Sequence, residues 1–89
     1  MNDMPVNLTG AKSSVHHADI YAGRMLRDIR KNKGMTQTEL GAVVGVTFQQ
    51  IQKYEIGSNR MSVSRLYEIA KCLKVSPIIF FPTQEQGDA

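Results

Sequence analysis

TQTELGAVVGVTFQQIQKYEIGSN, residues 36–59, reads as two short helices joined by a tight turn. Thr36 with Glu39 three residues later is a capping box, so the first of the pair begins at Gln37. Leu40, Val43 and Val44 give it an apolar face at helical spacing. Gly45 follows, the residue best suited to the left-handed conformation that ends a helix. Thr47 and Gln50 suggest a second capping box, opening a helix from Phe48 to about Ile56 that Gly57 stops. Only Gly45, Val46 and Thr47 lie between the two. So short a turn forbids an antiparallel pair and makes the helices cross steeply, as in a helix-turn-helix.

The second helix of the pair divides by face. Ile51 and Tyr54, three apart, can pack inward. Phe48, Gln49, Gln52 and Lys53 occupy the other side. A merely solvated face more often carries paired Glu and Lys. Here glutamines and a lysine match the donors and acceptors on base edges: Gln can pair bidentately with adenine, Lys can reach guanine, and an apolar side chain can touch a thymine methyl.

Composition is compatible with this reading. The 89 residues suffice for one domain with a modest core, and 42% hydrophobic content is that of a globular chain. Net charge is +3, unevenly spread. Residues 20–82 hold ten Lys and Arg against four Asp and Glu, while the flanks hold one Lys against four acids. The central part is therefore the basic part, which suits a polyanionic partner, although a basic surface alone is also simply soluble. Cys72 is the single cysteine, within a helical apolar pattern. It excludes a disulfide framework, fits a core position, and makes a reducing cytoplasm the expected compartment. No apolar run reaches membrane-spanning length, and no signal peptide is recognisable.

Along the chain, residues 1–18 lack helical periodicity and are expected to form a flexible arm, whose single Lys12 would add little attraction to DNA. His16, His17 and Asp19 make a weak metal motif without further ligands, so no metal is expected. Residues 19–82 are the expected domain. Its first helix, from about Ile20 to Lys33 with Asp19 as N-cap, buries Ala22, Met25, Leu26 and Ile29 and carries a basic cluster including Arg24, Arg27 and Arg30. Part of that cluster suits the helix dipole rather than a ligand. Gly41 is unfavourable inside a helix by about 1 kcal/mol, unless close approach of the next helix requires it. A fourth helix runs from Val63 to about Leu73 behind Ser62 as N-cap, with Leu66, Ile69, Ala70 and Leu73 inward. Arg65 in its first turn opposes the helix dipole, which invites a phosphate or a pair with Glu68. Ser76 and Pro77 open a last short helix ended by Pro82. Its four apolar residues, 78–81, cannot all face one core, so some are exposed or meet another chain. Residues 83–89 are expected to form a frayed tail. The fold class is all-α, five helices, with no strand signal.

These motifs together resemble the helix-turn-helix of the Xre-type, phage-repressor-like DNA-binding proteins, over about residues 22–81. They include Arg27, Arg30, Lys33 and Gly34 closing the first helix, TQxEL opening the second, the GVT turn, YExG closing the third, and LxxIAxxLxVS from Leu66 to Ser76. The run from Thr47 to Leu66 further resembles short regulators of alphaproteobacterial type. The resemblance implies a compact five-helix domain that binds double-stranded operator DNA as a homodimer, with no cofactor, small-molecule ligand or membrane. It implies that Gln37 bonds a phosphate and steadies the third helix. It implies that Thr47, Phe48, Gln49 and Lys53 lie nearest the major groove, that Asn59 and Arg60 meet backbone phosphate, and that Arg30 and Glu55 form an ion pair. Four positions depart from the family pattern: Gly41 where Ala is usual, Lys74 where Gly is usual, and Ile78 and Ile79 where polar residues are usual. The isoleucines suggest a dimer interface, or packing beneath the arm.

The expected function is thus a transcriptional regulator. Phe48, Gln49, Gln52 and Lys53 read bases, and Gln37, Thr47, Asn59, Arg60, with Tyr54 and Arg65, hold phosphates. A protein-interaction module such as an antitoxin, and a restriction-modification controller, are the rival readings. An enzyme ranks last, because no catalytic set falls on an ordered element.

Overall fold

The computed structural model describes residues 16–83, and they form four α-helices and a 3-10 helix with no strand among the described residues. The helices are α1 (His17–Asn32), α2 (Gln37–Val44), α3 (Phe48–Glu55) and α4 (Val63–Leu73), followed by the 3-10 helix Pro77–Phe80. Most of the expected arm and tail lies outside the described residues.

Local chemistry sets the helix ends. The Thr36 hydroxyl accepts from the Glu39 amide at 3.0 Å while the Glu39 carboxylate accepts from the Thr36 amide at 2.8 Å, completing the capping box. At Thr47 only half of the expected box forms: its hydroxyl accepts from the Gln50 amide at 3.1 Å, and no reciprocal side-chain bond closes it. Gly45 ends α2 at φ 81°, and α4 starts behind Ser62.

Two expectations at the helix ends are corrected. The N-cap of α1 is His16, whose Nδ1 accepts from the Ala18 amide at 3.0 Å, so the helix begins three residues before Ile20. Asp19 lies inside its first turn, where a carboxylate favours the dipole. The last element is a single 3-10 turn rather than a fifth α-helix, since only four residues separate Ser76 from Phe81.

The packing is a ring. α3 lies on α1 and α2, α4 lies on α2, and the 3-10 helix bridges α4 back to α1. Leu26, Leu40, Ile51, Leu66, Ile69, Leu73 and Phe80 fill its centre, each nearly or fully sealed from solvent. The inward stripe of α4 is as expected. On α2 it is not: Leu40 and Gly41 are buried and Val44 half-buried, but Val43 is 53% exposed. An eight-residue helix gripped through Leu40 and Gly41 turns Val43 outward.

Two glycines permit the close approaches. A Cβ on Gly41 would lie 2.5 Å from the Val46 carbonyl oxygen, so the absent side chain lets the turn fold back against α2. A Cβ on Gly23 would collide with the Tyr54 carbonyl oxygen and lie 2.8 Å from that of Glu55, so α1 touches the backbone of α3. On α1 the deepest residues are accordingly Gly23, Leu26 and Arg30, with Ala22, Met25 and Ile29 only half-buried around them.

Candidate nucleic-acid interface

The inner face of α3 is fixed by both apolar and ionic contacts. Ile51 is fully buried and Tyr54 is 6% exposed. Beside them, Arg30 Nε donates to Glu55 Oε2 at 2.6 Å and Arg30 Nη2 donates to Oε1 at 3.1 Å, a two-pronged pair between α1 and α3. Arg30 Nη1 also donates to the Met35 carbonyl at 2.8 Å, and Gln37 Nε2 donates to Glu55 Oε1 at 3.0 Å. One carboxylate thus ties α3 to α1 and α2. The hydrogen bond to Glu55 raises the Arg30 pKa, against the opposing effect of desolvation. Removing either partner of so buried a pair typically costs about 3–5 kcal/mol, because the other charge is left uncompensated.

With the inner face held, the outer face is presented. Gln49, Gln52 and Lys53 are exposed, and Phe48 is 39% exposed at the start of the helix. Thr47, Asn59 and Arg60 are exposed at its two ends. Arg60 Nε bonds Asp19 Oδ2 at 3.1 Å while its side chain stays 72% exposed. A guanidinium has five N–H donors, and this surface pair occupies one of them.

Three expected site residues are placed elsewhere. Tyr54, expected to hold phosphate, belongs to the core, because the i, i+3 face it shares with Ile51 is the packed one. Arg65 makes no ion pair with Glu68 among the described residues: its Nη1 donates to the Val44 carbonyl at 3.2 Å. The adverse dipole at the start of α4 is therefore met by the C-terminal carbonyl of α2. Ile79 is half-buried against the core, whereas Ile78 is 72% exposed. Gln37 keeps a double position, at the rim of the face with one amide hydrogen committed to Glu55.

Sequence reasoning did not assign Arg24 and Arg27 to the site. They line a groove of about 440 Å³ together with Gln37, Gln52 and Glu55, between α1 and the flank of α3. Their i, i+3 spacing signalled a shared helix face, but not which neighbour that face meets. Among the described residues no group of three His, Cys, Asp or Glu could hold a metal ion, and no helix is long and apolar enough to cross a membrane.

Two short helices in contact across a three-residue turn, the second anchored behind and polar in front, define the helix-turn-helix class. The chain belongs to the helix-turn-helix family HTH_3, whose model matches residues 26–80. It is 47% identical over 70 residues to the uncharacterized HTH-type transcriptional regulator y4aM of Sinorhizobium fredii, covering 79% of this chain and 49% of that protein. It is 48% identical over 75 residues to an uncharacterized transcriptional regulator in the ATPase CF(0) region of Rhodospirillum rubrum, covering 84% of this chain and 69% of the relative. The chain thus spans about half the length of the first relative and about two thirds of the second. Among solved structures it superposes on the P22 c2 repressor in complex with a synthetic operator. The TM-score is 0.64 at 28% identity, with 67% of this chain and 91% of that one covered.

Proposed function

We propose that the chain is a sequence-specific, double-stranded-DNA-binding transcriptional regulator that places α3 in the major groove. The observation that carries this is the division of α3. Ile51, Tyr54 and Glu55 are locked into the body, leaving Phe48, Gln49, Gln52 and Lys53 as a rigid polar front with one aromatic edge. Gln49 and Gln52 have the amide geometry for adenine, Lys53 suits guanine, and Phe48 suits a thymine methyl. Thr47, Asn59 and Arg60, with the remaining amide hydrogen of Gln37, fix the register through phosphates. The names of the relatives and the operator complex of the P22 c2 repressor support the same reading.

The regulator would act as a homodimer on a two-fold operator, with half-sites about 34 Å apart. Ile78 at 72% and Phe81 at 55% exposure border a surface groove that also takes in Tyr21 and Met25. Exposed apolar side chains clustered this way suit a self-complementary contact.

Selection of duplexes from a randomised pool supplies the test. The parent should enrich one motif, and Gln49→Ala should relax preference at one base position, costing about 1–3 kcal/mol on the selected site. A parent that enriches nothing, or a variant with unaltered preference, would remove Gln49 from the reading face.

A further inference from the structure

The groove beside α3 extends the proposed interface onto α1. An α-helix with side chains is about 10–12 Å across and the major groove is about 12 Å wide, so an inserted helix meets the sugar-phosphate walls on both flanks. On one flank of α3 lies the groove of about 440 Å³ shared by Gln37, Gln52, Glu55, Arg24 and Arg27. Gln52 belongs both to its wall and to the outer face of α3, so the groove opens directly beside the reading surface.

Its charge is uncompensated. Glu55, the one acid in it, is already paired with Arg30 on its buried side. Arg24 and Arg27 are exposed, and neither makes an ion pair or side-chain hydrogen bond among the described residues. One turn apart on α1, they lie side by side on its surface. Two free guanidiniums beside two amides form a surface suited to phosphate oxygens.

We propose that Arg24 and Arg27 of α1 form a phosphate clamp on the DNA strand running along the α1 flank of α3. This rests on α3 occupying the major groove, and it adds a sequence-independent contact that strengthens binding to any duplex. The clamp lies in the middle turns of α1, N-terminal to Lys31 and Lys33, which serve the helix C-terminus.

The salt dependence of binding distinguishes this from a general effect of charge. Slopes of log K against log salt concentration are measured for the parent and for Arg24→Gln with Arg27→Gln, on selected and random duplexes. Two lost phosphate contacts should make the slope shallower by about 1.8, alike on both duplexes. Arg24→Lys with Arg27→Lys should restore most of the slope, and Lys71→Gln with Lys74→Gln, on and just after α4, should leave it at the parental value. An unchanged slope in the Gln variant would overturn the clamp, as would an equal loss in the Lys71 and Lys74 control or in the Lys replacements. The failures are separable: a parent that binds duplex DNA with a slope that the Gln variant matches loses only the clamp, whereas a parent that binds no duplex loses the α3 reading and the clamp with it.

Discussion

At position 74 the backbone turns left-handed without a glycine. Lys74 sits at φ 60°, ψ 44° as the C-cap of α4, a conformation that crowds any Cβ. Its family resemblance marks glycine as the usual residue there, and the geometry agrees with that pattern. Lys74→Gly should therefore stabilise the fold by about 1 kcal/mol in chemical denaturation; a midpoint shifted downward would mean that the lysine side chain makes an offsetting contribution. Residue-scale features divide cleanly into legible and illegible ones. Thr36, Ser62 and Gly45 act within a few residues of themselves, so their roles can be read from neighbours in sequence. Arg65 could not be read in this way. Its partner, the Val44 carbonyl, is 21 residues away, and only the packing of α4 on α2 brings them together.

At the scale of the element, periodicity identified the inward faces of α3 and α4, and it faltered on α1 and α2. Hydrophobic spacing counts Met25 and Ile29 as core, yet closest contact on α1 is made through Gly23, which has no side chain to register as apolar. Arg30, the other core residue that hydrophobic spacing passes over, is tolerable there only because Glu55 approaches from α3, in the ion pair that the resemblance implied. The segment 78–81 shows the same limit. Four apolar residues in sequence do not indicate which is anchored, but a 3-10 turn directs Phe80 inward at 1% exposure and leaves Ile78 and Phe81 outside. Phe80→Ala should consequently destabilise the domain by about 3–5 kcal/mol, because it opens the bridge between α4 and α1. Ile78→Asp should leave the melting of the monomer nearly unchanged and shift sedimentation toward monomer. Denaturation and sedimentation of both variants check the pair, and an Ile78→Asp variant with undiminished mass would remove this edge from the dimer contact.

For the whole molecule, the ring of helices serves to hold one short helix still. An isolated eight-residue helix is not stable in water, so α3 owes its existence to Ile51, Tyr54 and the Arg30–Glu55–Gln37 network behind it. That rigidity matters for recognition, since a surface fixed before binding loses less conformational freedom on docking. The basic balance of residues 20–82 gains meaning from the same arrangement: Arg24, Arg27, Lys53 and Arg60 fall on or beside the presented side, and Arg30 is withdrawn to support it.

Amide chemical-shift mapping of the labelled chain, titrated with a duplex selected from a random pool, addresses this arrangement most directly. The expected result is that the largest changes fall on Phe48–Lys53, with smaller ones at Gln37, Asn59, Arg60 and the arginines of α1, while the amides of Leu66, Ile69 and Phe80 hold their positions. Changes confined to the Ile78–Phe81 edge, with α3 unmoved at saturating duplex, would contradict it.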